Sequence, residues 1–110
     1  MEYIDKNLAM EYLMGNTTIF NKIKNSFLES YKNYEEDYMK LVEAYDFSGL
    51  EIYIHSLKGI SLNLGARVLY DRAIEALDPI RKKLWNAEVI NSFIIALRGT
   101  YQELNSLQYE

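Results

Sequence analysis

Residues 50–66 read L-E-I-Y-I-H-S-L-K-G-I-S-L-N-L-G-A, and the fold turns on this stretch. Taken as one helix turning about 100° per residue, it lines up Leu50, Tyr53, Leu57, Ile60 and Leu64 on one face. That spacing predicts a buried stripe. His55 is the only histidine in the chain. It falls on the opposite side, with Glu51, Ile52, Lys58, Gly59 and Leu62 around it. Its imidazole is therefore expected to stand in solvent, with Lys58 and Gly59 one turn further on.

The chemistry of that face follows from its residue types. A neutral, exposed imidazole is a nucleophile near neutral pH. A lysine one turn away can offset negative charge on a group bonded to the ring. A glycine beside the ring lets another protein's backbone come close. Inside a helix that glycine costs about 1 kcal/mol relative to alanine, which suggests a steric need. The chain has no second histidine and no cysteine, and it shows no serine–base pair. The pattern is that of an acceptor for a group delivered by a partner.

Outward from this helix, the 110 residues are expected to form one domain, residues 1–110. Apolar residues make up 49% of the chain, enough to bury a core. The absence of cysteine excludes disulfides and thiol chemistry and fits a reducing compartment. The start, M-E-Y-I-D-K-N-L, holds no apolar run of signal-peptide length, and Met1 suggests a complete small protein. No segment approaches the roughly 20 apolar residues of a membrane span. The formal net charge is −4 with no basic stripe, which argues against nucleic acid as a partner. The ten tyrosines are read as core and rim packing.

The rest of the chain is read as helices in series. A first helix is expected over Asp5–Met14, with Asp5 as N-cap and Gly15 just past its end. Asn16 or Thr17 caps a second, whose apolar positions Phe20, Ile23, Phe27, Tyr31, Tyr34, Tyr38, Leu41 and Tyr45 run for about seven turns. The charged stretch K-N-Y-E-E-D-Y allows a bend or break there. Asp46 caps the central helix, with Ser48 the alternative cap. Gly65 ends that helix, and Ala66 begins the next. The helix from Arg67 carries Leu69, Ala73, Ile74 and Leu77 inward and is expected to end or kink at Pro79, with Ile80 to Trp85 as a short continuation. Asn86 caps a last helix with Val89, Ile90, Phe93, Ile94, Leu97, Tyr101, Leu104 and Leu107 on its apolar face. Gly99 is expected where helices approach closely. The fold class is all-α: an antiparallel up-down bundle of four helices with a short additional N-terminal helix.

The segment H-S-L-K-G-I-S-L-N-L-G-A resembles the signature of histidine-containing phosphotransfer (HPt) domains, H-x-L-K-G-x-x-x-x-L-G-A. His55, Leu57, Lys58, Gly59, Leu64, Gly65 and Ala66 match it at the right spacing. Phe27 and the acidic cap Asp46 are also similar to family features, and the resemblance covers nearly the whole chain. It implies a phosphorelay intermediate of two-component signalling, a phosphoryl carrier rather than an autonomous enzyme. His55 would accept a phosphoryl group, on Nε2 by the family's habit, from a receiver-domain aspartate or a sensor kinase and pass it to another response regulator. Lys58 would steady the phosphoryl oxygens. Glu51, Ile52, Gly59, Leu62 and Ala66 would form the docking face. No cofactor is expected on this chain, because magnesium would belong to the partner receiver. The expected protein is a cytoplasmic monomer with no membrane or nucleic-acid partner.

Two positions depart from the family pattern. Leu62 stands where a small residue is common. Leu77 stands where many members place a glutamine or glutamate that bonds the histidine ring, with Glu75, Asp78 or water as replacements. An alternative is a binding module that sequesters a receiver without accepting phosphate. A hydrolase or metalloenzyme is disfavoured, since no carboxylate pair converges on the one histidine. The acids Glu35, Glu36 and Asp37 are read as solvated surface.

Overall fold

The computed structural model describes residues 2–107 and is helical, with no strand among them. Six α-helices follow in order: α1 Lys6–Leu13, α2 Thr17–Ser30, α3 Tyr34–Glu43, α4 Phe47–Ser61, α5 Arg67–Arg81 and α6 Ala87–Ser106. A 3₁₀ turn, Leu62–Leu64, extends α4. The radius of gyration is 13.8 Å, close to the ~13 Å of a compact chain of this length.

Four helix starts are fixed by side-chain caps. Asp5, Asn16, Asp46 and Asn86 each accept a hydrogen bond from the backbone N–H three residues on, at 2.9–3.2 Å. Each satisfies a donor that a helix start leaves unpaired. The long second helix is broken where its sequence turns charged. Tyr31 closes α2 by donating its N–H to the Phe27 carbonyl, and α3 restarts at Tyr34 without a side-chain cap. The apolar stripe survives the break. Tyr31 packs on Phe27 and edge-on against Tyr53, and Tyr34 packs on Tyr101.

The core is drawn from every α-helix. Leu50, Ile54 and Leu57 of α4 are fully buried beside Tyr38, Leu69, Ala73, Phe93 and Leu97. Ile54 lies outside the expected stripe. α4 packs on both α3 and α5, so its buried face centres on Leu50 and Leu57 and leaves Tyr53 and Ile60 half-buried at its edge. Ile74, expected to face inward, is instead 45% exposed; α5 turns Leu69, Ala73, Ala76, Leu77 and Ile80 to the core. Pro79 does not end α5, which runs through it to Arg81.

The N-terminal segment is held at two glycines. Gly65 has φ +73°, and a methyl there would overlap the Asp5 carbonyl oxygen, while the Asp5 N–H donates to the Gly65 carbonyl at 2.8 Å. Gly99 is covered by the Tyr3 ring, which occupies the space of a Cβ. The close approach expected at Gly99 is thus by this segment rather than by a helix. The Glu103 carboxylate accepts from the N–H groups of Glu2, Tyr3 and Ile4, each at 2.9 Å.

Candidate functional site

α4 and α5 form a hairpin, the most extensive helix contact in the chain. Arg81, in the last turn of α5, therefore returns to the first half of α4. Its Nε donates to Glu51 Oε2 at 3.1 Å. Its Nη2 lies 3.5 Å from Nδ1 of His55. The ring is exposed, as its wheel position predicts.

Around the ring, Ile52 is 69% exposed, an apolar side chain in water one turn before His55. Gly59, one turn after it, is exposed, and a Cβ there would meet nothing within 4 Å. Lys58 is half-buried, and no ion pair engages its ammonium among the described residues. His55, Ile52 and Gly59 are thus exposed on one face, with half-buried Glu51 and Lys58 one turn before and after the histidine along α4 and the Arg81 guanidinium beside the ring.

Two residues assigned to that face sit differently. Ala66 has no exposed surface, because it lies between the 3₁₀ turn and the first turn of α5, where its N–H donates to the Ser61 carbonyl at 2.8 Å. It belongs to the packing of the turn and has no surface on the exposed face. Leu62 is half-buried at the point where α4 tightens into the 3₁₀ turn, so the helix proper stops at Ser61 and Gly65 closes the turn.

Neither carboxylate offered as a ring partner reaches it. Glu75 is taken by Arg72 at 3.0 Å and Asp78 by Lys82 at 3.3 Å. Leu77 is buried. The residue beside the ring is Arg81, one turn beyond Leu77. Its position was readable as Leu77 plus four, provided the helix continued through Pro79. The end or kink expected at Pro79 would take Arg81 out of phase.

The Glu51–Arg81 pair is about half exposed on each side, which limits its contribution to stability to about 1 kcal/mol or less. Its consequence is geometric: it fixes a guanidinium beside the imidazole. No protein-family model matches the chain, and no curated protein or solved structure is found to match it either.

Proposed function

We propose that this chain is a histidine phosphotransfer protein of a two-component phosphorelay. α2 with α3, α4, α5 and α6 are read as the four up-down helices of the family bundle, and α1 as its additional N-terminal helix. His55 receives a phosphoryl group from the aspartyl phosphate of a receiver domain, or from a sensor kinase, and returns it to another response regulator. In the forward step Nε2 bonds to phosphorus as the P–O bond to the aspartate breaks, and the carboxylate leaves with that electron pair. The receiver supplies magnesium and most of the charge stabilisation, so this chain needs only an accessible ring, a nearby cation and room for the partner.

One observation carries the reading: Gly59 lies in open space. A mid-helix glycine lowers helix stability by about 1 kcal/mol. Nothing among the described residues requires it, which supports a requirement outside the chain, in a partner that approaches His55 from solvent. The exposed Ile52 gives that partner an apolar contact. The expected setting is a cytoplasmic monomer. Among the described residues no helix is long and apolar enough to cross a membrane.

A second reading, receiver docking without transfer, is favoured by the donor at the ring, where many family members place an acceptor. Incubation with a labelled phospho-receiver and magnesium separates the two. Acid-labile label on this chain that is lost in His55→Gln supports transfer. Binding without label supports docking alone, and label that persists in His55→Gln rejects His55 as acceptor.

A further inference from the structure

The guanidinium of Arg81 can only donate. It carries five N–H donors and no acceptor. A ring nitrogen that faces it must offer its lone pair, and in a neutral imidazole the proton then sits on the other nitrogen. Nδ1 of His55 faces Nη2 of Arg81 at 3.5 Å. Arg81 is kept there by Glu51, at 3.1 Å from its Nε. The acids one and two turns back along α5 are occupied by Lys82 and Arg72. Among the described residues no hydrogen-bond acceptor faces the ring.

We infer that Arg81 is a positioning residue that holds resting His55 with its proton on Nε2, and so acts as a brake on phosphoryl acceptance at that nitrogen. The inference rests on the phosphoacceptor reading of His55. Attack through Nε2 needs that lone pair free. The Nε2 proton must pass to solvent and a proton must be taken up on Nδ1. The Nε2–P bond then forms, and the receiver carboxylate leaves with the electrons of the broken P–O bond. Nδ1 carries a proton only when Arg81 has turned away from it. An arriving phosphoryl group provides the anion that draws the guanidinium off, since the fork of N–H groups fits phosphate oxygens. Glu51 anchors the arginine in the meantime.

The test compares the wild-type protein with R81M, which removes the donor, and R81Q, whose carbonyl can accept from a protonated Nδ1. Both substitutions fall at an exposed pair, so folding is expected to survive. Nitrogen-15 NMR of the His55 ring reads the tautomer, and initial label uptake from a phospho-receiver reads the rate. The expected order is wild type, R81M, R81Q, both in the Nδ1–H fraction and in uptake. Each step should be about two- to threefold, the low end for one hydrogen bond, because the 3.5 Å contact is a long one. An unchanged tautomer across the series overturns the inference. So do equal uptake rates, or rates in the reverse order. A tautomer series with no label on any of the three proteins overturns the phosphoacceptor reading and removes the brake with it, while leaving the ring proton under the control of Arg81.

Discussion

Gly59 and Gly65 belong to the same short segment, yet the fold needs only the second. Gly65 has φ +73° and lies against the Asp5 carbonyl, so any side chain there collides with the N-terminal segment. Gly59 is helical and exposed, and a Cβ there would meet no side chain within 4 Å. One glycine is explained from within the chain. The proposed function explains the other by a partner that approaches His55.

The two glycines therefore respond oppositely to the same substitution. Gly59→Ala should raise stability by about 1 kcal/mol through helix propensity. Gly65→Ala should lower it by about 2 kcal/mol or more, because it adds a clash to a left-handed backbone. Urea unfolding of the two variants measures both. A bulkier residue at Gly59 should leave the fold intact and weaken receiver binding.

In the proposed function Lys58 serves the phosphoryl group rather than the fold. Lys58→Ala should lower stability by no more than about 1 kcal/mol, as expected for a half-buried cation in the last turn of α4. It should slow label uptake or shorten the lifetime of the phosphohistidine, and Lys58→Arg should restore part of that loss. Uptake and decay of acid-labile label at fixed pH read both effects.

Tyr38 and Tyr53 form a paired control on the core. The Tyr38 hydroxyl donates to the Ile90 carbonyl at 2.9 Å, whereas the buried Tyr53 hydroxyl has no hydrogen-bond partner among the described residues. Tyr38→Phe should cost about 1 kcal/mol more than Tyr53→Phe, the net value of one hydrogen bond. Thermal unfolding of the two variants gives the difference.

The same two phenols set an alkaline limit. Burial pushes both above the ordinary tyrosine value of 10.0, with Asp37 adding to the effect at Tyr53. The folded state therefore holds these protons more tightly than the unfolded chain. Their contribution is complete below pH 10 and is lost as the pH climbs above it, once the unfolded chain ionises. Stability measured from pH 8 to 11 should fall at the upper end, and less steeply in Tyr38→Phe.

What the chain discloses by itself is local. The caps Asp5, Asn16, Asp46 and Asn86 were legible because each acts on a backbone N–H three residues away. The exposure of His55 was legible because the stripe of leucines on α4 fixes the wheel. Features that depend on two helices together were not. Ile54 is buried because α3 and α5 both cover α4, which widens its apolar face beyond one stripe. Ala66 is enclosed by a turn whose tightness no spacing reveals. Arg81 reaches His55 only because α5 passes through Pro79 without breaking and folds back along α4.

The central claim is tested most directly by finding where phosphate is carried. The protein is treated with a phosphorylated receiver domain and magnesium, then cleaved under alkaline conditions that preserve phosphohistidine, and the fragments are mapped by mass spectrometry. The account predicts phosphate on the fragment bearing His55, at that residue, and none on His55→Gln. Phosphate at a serine, tyrosine or carboxylate instead, or wild-type protein that stays unmodified while the receiver keeps its phosphate, would contradict it.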